Sequence, residues 1–497
     1  MKTAMLLAPW LATYTYACPH LIVPTAVAGV NVRPAVKAIR TPSSAPATIA
    51  PRVQRPPPPE PKRADFLMFK DDAWRSASAL TPETADAEIS DARLLSTRTA
   101  NGDREWTVEA PITFKYSVRE TPDVLDLSND ALVFGHLGDA ASLARAKSRP
   151  LKRVVVVDDT VHSLYGDRIE AYFAHHNVTT KMLVLPTTEE NKNIDMVLEI
   201  AEAIHTLGID RRLDPVIAIG GGVCMDIVGF AASIYRRRTP YVRVPTTLMG
   251  YVDASVGAKS GVNFHTEADG WRKNKLGAYL PPVLTLLDRS FLGTLDQRQL
   301  SNGAAEIAKM ALVKDPVLFD DLCSHGSALI AHKFQDLPQS AGGGAVPSRV
   351  LDASIHTMLE ELAPNLFEDS LHRLVDFGHV FSMELEMAVL HSEKLFHGEA
   401  VAIDMAFSCV LAYVRGHLDE PTLNECLDML TNLGLPTYHE KLDAPMLNQA
   451  LYERVKFSQG QKIPLPVAPG VSRIFNDVTS EQVLEALDEW AARCAAK

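Results

Sequence analysis

The sequence predicts a two-part α/β protein, with a doubly wound, mostly parallel sheet followed by an all-α C-terminal domain. Three observations carry this. Short β-branched runs alternate with amphipathic helical patterns between about residues 152 and 290. Strand signals then fade and helix-period segments take over. The chain, at 497 residues, is also too long for one small core.

Taken in order, residues 1–60 stand apart. No Asp or Glu precedes Glu60, whereas Lys2, Arg33, Lys37, Arg40, Arg52 and Arg55 do. "AMLLAPWLATYTYA" resembles a signal-peptide apolar region, and the Arg-, Ser-, Ala- and Pro-bearing stretch after it resembles a transit peptide. The leader therefore reads as a targeting segment, to a plastid reached through the secretory route, or as a disordered tail on a cytoplasmic protein. Residues 61–290 form the expected α/β domain. "EWTVEAPITFKYSVRE" alternates as a strand. "KRVVVVDD", "TKMLVLP" and "DPVIAIGGG" read as buried parallel strands, with "SLYGDRIEAYFAHHN" and "NKNIDMVLEIAEAIHTLGI" as the helices between them. Residues 291–497 form the helical domain. Its helices are "SNGAAEIAKMALV", "RVLDASIHTMLEELA", "GEAVAIDMAFSCVLAYVRGHL" and "SEQVLEALDEWAARCAA", with the loop "QSAGGGAVPS" between two of them. The catalytic cleft is expected between the two domains.

Composition narrows the function. The net charge of −12 argues against a duplex-binding surface, which needs a clustered basic face. No apolar stretch reaches the roughly 20 residues that span a bilayer. The six cysteines are scattered without CxxC pairs, as in a chain of reduced thiols.

Two local patterns carry chemistry. In "VIAIGGGVCMDIVGFAASIY" a strand meets three glycines and then a helix. Such a turn lets backbone amides approach a pyrophosphate at a helix N-terminus, although the spacing is not GxGxxG and a tight strand–helix turn would look the same. Asp226 falls in the first turn of that helix, where capping alone would also suit it. In "DFGHVFSMELEMAVLHSEKLFHGEAVAIDM" two histidines, His379 and His397, each sit beside a glycine in an apolar setting. Each is a candidate metal ligand or a satisfied core histidine. Glu306 and Lys309, three apart, are a site pair or a solvated one.

The ordered set "GGGVCMD", "RVPTTLMGYVDASVGAKSGVN", "RKNKLGAYLPP", "SNGAAEIAKMALVKD", "DFGHVF" and "FHGEAVA" resembles the dehydroquinate synthase-like sugar phosphate cyclases over roughly residues 150 to 485. The resemblance implies NAD, a divalent metal (zinc, with cobalt possible), a sugar phosphate substrate and a homodimer. Glu306, His379 and His397 match the metal ligands, making the helical domain the metal-binding one. Lys309 matches an active-site lysine, Asp253 and Lys259 match substrate-holding residues, and Asn274 and Arg237 match phosphate contacts. On the cofactor side, Gly221, Gly222 and Asp226 match the pyrophosphate turn. Thr246 and Thr247 match a neighbouring loop, Lys273 a cofactor-side position, Asp158 the end of the first strand, and Glu189 with Lys192 a ribose-side pair. His391 is read as a loop histidine, and His265 has no assigned role.

Within the family, "DFGHVFSMELE" places Asp376 and Met383 where dehydroquinate synthase carries Asn and a second His. Loss of a donor set suited to a carboxylate implies a substrate without one, and Asp376 itself would repel a carboxylate. The branch acting on sedoheptulose 7-phosphate fits. The expectation is a phosphate-eliminating lyase of the 2-epi-5-epi-valiolone synthase type. The alternatives are a desmethyl-4-deoxygadusol synthase, to which "IPLPVAPG…IFNDVT" leans, and 3-dehydroquinate synthase. Met383 and Phe457 match neither sedoheptulose branch cleanly. A metal-dependent polyol dehydrogenase and a non-catalytic sugar-phosphate sensor are the competing functions.

Overall fold

A computed structural model describes residues 93–495, apart from positions 111, 268–269, 342, 391–394 and 459. The leader and His391 lie outside the described residues, as does the side chain of Phe457. The chain divides into two compact units, one through Pro111 and one from Ile112. In the first, β1 (Arg93–Arg98) and β2 (Arg104–Glu109) pair antiparallel, with Leu94, Trp106 and Val108 exposed.

The second unit opens with β3 (Ser117–Glu120), the short helices α1 (Ala131–Phe134) and α2 (Ala140–Lys147), and β4 (Leu151–Asp158). It continues through α3 (Asp159–His175), β5 (Val178–Leu185), α4 (Ile194–Leu207), β6 (Val216–Gly220), α5 (Gly222–Ile234) and β7 (Tyr241–Pro245). A π-helical turn at Gly250–Ala254 leads to the antiparallel pair β8 (Lys259–Thr266) and β9 (Gly270–Tyr279), then β10 (Leu284–Leu287). The main sheet is ordered β3-β10-β7-β6-β4-β5, with every pairing parallel. The β-branched run of β4 is buried on both faces, which explains its unbroken apolar pattern. The chain leaves β4 outward to β5 and returns on the other side to β6. The order therefore reverses between β4 and β6, the place where open α/β sheets bind ligands at their carboxyl ends.

The helical part comprises α6 (Gln297–Val313), α7 (Pro316–Ala331), α8 (Ala345–Leu362), α9 (Ser382–Val389), α10 (His397–Val414), α11 (Glu420–Asn432), α12 (Ala444–Ser458) and α13 (Ser480–Ala495). It also carries an antiparallel ribbon of β11 (Ile463–Ala468) and β12 (Val471–Phe475), the region read above only for its motif. Helices α6 and α10 form its centre. Every residue from Leu300 to Val313 is buried, and so is every residue from Gly398 to Ala412. α10 is long and apolar enough to cross a membrane by length and composition, but 83% of it is buried inside the protein, as befits a core helix.

Glycines set how closely these elements approach. A Cβ on Gly303 of α6 would lie 2.5 Å from the Met249 backbone nitrogen. A Cβ on Gly398, at the start of α10, would lie 1.9 Å from the Asn302 carbonyl oxygen. Neither neighbour is a flexible side-chain tip, so Gly398→Ala must push α10 off α6. We expect this variant to lose about 3 kcal/mol of stability by chemical denaturation, the upper part of the range for overpacked cores. A loss under about 0.5 kcal/mol, the ordinary scale of a surface change, would show that this contact is not rigid.

Candidate functional site

The site is built around a buried acid. Glu306 lies mid-way along α6 with no solvent exposure. Lys309, one turn on and also buried, pairs with it, yet neither carboxylate oxygen has a properly aligned hydrogen-bond partner. His379 Nε2 lies 3.7 Å and His397 Nε2 3.6 Å from Glu306 Oε1. The two rings are 5.2 Å apart between centroids. One ligand atom from each of the three residues falls within 4.8 Å of the others.

Local sequence explains the convergence. Gly378 has φ +75°, and a Cβ there would meet Val401 Cγ1 at 2.8 Å, so the loop bearing His379 presses directly onto α10. His397 is the first residue of α10. Asn302 Oδ1 accepts from the Gly398 backbone N–H at 2.6 Å, which seats the start of α10 one turn before Glu306 on α6. Glu399 accepts from the Phe396 N–H at 2.7 Å and is held by Arg298, whose guanidinium sits 4.1 Å from the Phe396 ring centre. All four residues of "FHGE" are thus occupied in fixing one imidazole.

The outer ring nitrogens settle the tautomers. His379 Nδ1 lies 3.1 Å from the Phe377 carbonyl oxygen, which can only accept, so Nδ1 carries the proton and Nε2 a lone pair. His397 Nδ1 lies 2.9 Å from Glu386 Oε2, with the same consequence. Burial, with Lys309 and His397 beside it, holds His379 well below the usual histidine range. Burial would raise Glu306, but Lys309 and His397 outweigh it and keep the carboxyl below its ordinary value. Burial likewise opposes the Lys309 ammonium, yet Glu306, Asp253 and Asp376 hold it above its ordinary value. Two imidazoles presenting Nε2 and one buried carboxylate whose oxygens lack an aligned hydrogen bond are a donor set that fits a divalent ion such as zinc with open positions left.

Around this centre, Asp253 faces Lys309 from the π-helical turn. Arg243, wholly buried in β7, donates to the carbonyls of Gly257 and Lys259 at 2.8 and 3.0 Å and so pins the loop between them. Asp376 is clamped by Arg454 at 2.7 Å and Arg373 at 3.0 Å. Lys259, with half its side chain exposed, pairs with Glu368 at 2.8 Å, and Tyr279 donates to the same carboxylate at 3.0 Å. Met383 is exposed on α9.

The other candidates gather at the sheet's reversal point. Gly221 is the extended residue just before α5, whose N-terminus has no side-chain cap, so its first amides can face an anion. Gly221 and Gly222 both have negative φ, so space is what they supply. A Cβ on Gly221 would lie 3.1 Å from Thr247 Cγ2, and one on Gly222 3.2 Å from Ala254 Cβ. Thr246 donates its N–H to the Gly220 carbonyl at 2.9 Å, while its buried hydroxyl has no partner among the described residues. Asp158 closes β4, caps α3 and accepts from the Thr187 hydroxyl. These groups fit the diphosphate end of a dinucleotide. Asp226 is the fifth residue of α5, beyond the first turn where the sequence placed it, and it pairs with Lys192 instead of capping the helix; buried Lys192 reaches it at 2.6 Å and Asn274 at 2.7 Å. Glu189 accepts from Asn263 at 2.8 Å. Lys273, grouped above with the cofactor, contacts Glu386 at 2.6 Å.

Arg237 is not brought to this assembly. It follows α5 at the end opposite the glycine turn, about 20 Å along the helix. Its side chain is exposed and makes no ion pair with the described residues. Sequence reasoning also missed Glu386, Glu368, Arg454 and Asn263. The one available signal was Glu386, an acid within the apolar run between the two histidines.

The 3-dehydroquinate synthase N-terminal model matches residues 182–302 and the C-terminal model residues 303–456. The chain is 45% identical over 411 residues to a 2-epi-5-epi-valiolone synthase of Streptomyces hygroscopicus subsp. jinggangensis (strain 5008), covering 82% of this chain and 95% of that one. It is 32% identical over 388 residues to a demethyl-4-deoxygadusol synthase of Trichormus variabilis, covering 78% and 90%. The solved structure of ValA, a 2-epi-5-epi-valiolone synthase from the same Streptomyces, with NAD+ and Zn2+ bound, superposes with a TM-score of 0.69 at 44% identity, covering 78% of this chain and 100% of that one. A matched α/β half, a matched helical half and a relative at 45% identity agree, and the chain belongs to the 3-dehydroquinate synthase family.

Proposed function

We propose that this chain is a phosphate-eliminating lyase that cyclises sedoheptulose 7-phosphate to 2-epi-5-epi-valiolone, using NAD and zinc. The observation that carries the reading is the Glu306, His379 and His397 cluster, linked to the uncapped α5 N-terminus by the turn whose Asp253 faces Lys309 and whose Ala254 faces Gly222, in a chain that resembles valiolone synthases more than gadusol synthases. Bound NAD would take and return one hydride, and the bound ion would polarise the substrate's oxygens. Glu306, His379 and His397 hold the ion in this reading. Lys309, kept protonated by its acidic neighbours, donates a hydrogen bond to a substrate oxygen as negative charge gathers there. Asp376, fixed by two arginines, accepts from substrate hydroxyls. Lys259 and Asn274 take the phosphate. To do so Lys259 exchanges Glu368 for the ligand, and Asn274 turns its amide N–H outward while its oxygen stays on Lys192. Arg237 would reach that phosphate only from a second copy, consistent with a homodimer. The acid-free leader keeps its reading as a plastid address.

With sedoheptulose 7-phosphate, NAD and zinc, the protein should release phosphate in step with a cyclitol whose mass and stereochemistry match 2-epi-5-epi-valiolone. No lasting absorbance from reduced nicotinamide should build up. Accumulating reduced nicotinamide would favour the polyol dehydrogenase, and a dehydrated product the gadusol-type enzyme. His397→Ala should abolish turnover and zinc uptake while NAD affinity stays close to wild type; normal zinc content in that variant would remove His397 from the ligand set. Lys259→Ala should slow turnover on the order of 100-fold, as loss of one charge-stabilising donor does, with zinc retained. An unchanged rate would take Lys259 out of the reaction.

A further inference from the structure

Two side chains outside the proposed ligand set converge on His397. Glu386, on α9, is buried, and its Oε2 lies 2.9 Å from His397 Nδ1. Lys273, on β9, places its Nζ 2.6 Å from the same carboxylate oxygen and 3.1 Å from the same ring nitrogen. The ammonium and the Nδ1–H are both donors, so neither bonds the other and the carboxylate between them accepts from both.

Regular strand geometry would not bring Lys273 there. The β8–β9 ladder pairs Val262 with Leu276 and then Phe264 with Arg272, so Asn263 alone opposes Lys273, Asn274 and Lys275. Asn274, inside this bulge, has φ +50°, a backbone state that costs a non-glycine residue of order 1 kcal/mol. Asn263 holds the bulge by accepting from the Asn274 N–H at 2.9 Å. The distortion sends Lys273 toward α9 and Asn274 back to Lys192. Bulges beside active sites re-aim side chains in this way.

We infer that Glu386 and Lys273 are positioning residues for His397, an inference that rests on the metal site proposed above. Glu386 accepts the hydrogen bond from Nδ1–H, which fixes the tautomer and turns Nε2 toward Glu306. Lys273 neutralises Glu386 and locks its rotamer. Lys273 thereby works on the metal side of the cleft. A purely structural ion pair would need no imidazole on the same oxygen.

The test uses the full chain, with zinc affinity from competition against a chromogenic chelator, NAD affinity from fluorescence titration, and thermal unfolding of the metal-free protein. Glu386→Gln should weaken zinc binding 10- to 100-fold, as loss of a ligand's orienting partner does. NAD affinity should remain near wild type. In the cobalt-loaded protein its visible absorption bands should shift, which loss of a remote ion pair would not cause. Lys273→Met should weaken zinc by a smaller factor, on the order of 10-fold. Because either change alone strands a buried partner, the double variant Lys273→Met with Glu386→Gln is read beside them. It should unfold near the wild-type temperature and still bind zinc weakly. Zinc affinity within threefold of wild type in both Glu386→Gln and the double variant would overturn the inference, leaving the metal site standing. A wild-type protein that takes up no zinc would overturn the metal site as well. A fall in NAD affinity with zinc unchanged in Lys273→Met would return Lys273 to the cofactor.

Discussion

The structure depends on one unfavourable placement, an ionised carboxylate in the buried stretch of a helix. Glu306 has no solvent exposure and no aligned hydrogen bond, and its neighbours on α6 from Leu300 to Val313 are all buried. Removing a carboxylate from water costs several kcal/mol even after relaxation. Lys309 offsets part of this from one side, but it is itself a buried ion with the same difficulty. Two imidazoles face the other side of Glu306 through Nε2 at 3.6 and 3.7 Å, beyond hydrogen-bond reach. A carboxylate oxygen and two imidazole nitrogens gathered within 4.8 Å of one another suit a cation. The placement is poor for stability alone and well suited to holding a metal.

That arrangement dictates where glycine must stand. Each candidate ligand histidine has a glycine beside it, for two different reasons. Gly378 supplies a left-handed backbone and room against Val401 and Met405, so the His379 loop can lie on α10. Gly398 has ordinary helical geometry and supplies only room, against the Asn302 carbonyl. With Gly303 against the Met249 backbone, α6 is pressed from two sides, by α10 and by the turn carrying Asp253. The reacting groups therefore sit where the packing is least able to yield, and the ligand geometry comes already formed.

Much of this was legible in the chain. The β-branched runs of β4 and β6 and the long apolar stretches of α6 and α10 state their elements, because burial on all sides leaves little room for other residues. The metal cluster was legible through its motifs, since each of Glu306, His379 and His397 lies in a local pattern that also fixes its backbone. The partners of the site were not. Glu386 meets a lysine 113 residues upstream, and Arg454 meets an aspartate 78 residues away. Such pairs depend on tertiary folding and leave no periodic trace. The β9 bulge is invisible for the same reason, so the contact of Lys273 with Glu386 left no sign in the sequence. Arg237 shows the converse: it lies in a readable motif, yet the length of α5 carries it to the wrong end of the helix for its own site.

Charge balance around Asp376 bears on substrate choice. Arg373, Arg454 and Lys259 face Glu368 and Asp376, which leaves the cluster one positive charge in surplus. The surplus resides on Lys259, the exposed member, and burial of Glu368 is outweighed by Lys259 and Arg373, which hold that carboxyl below its ordinary value. The arginines are committed to carboxylates of the protein itself. A substrate carboxylate entering beside Asp376 would have to break one of these pairs and face the displaced anion at low dielectric, a cost of several kcal/mol. Hydroxyl groups meet no such barrier, since they can donate to the clamped Asp376 without disturbing either guanidinium. Phosphate needs only to replace Glu368 at Lys259, at the edge where water can solvate the released acid. A polyhydroxylated sugar with one phosphate and no carboxylate is the ligand this balance admits.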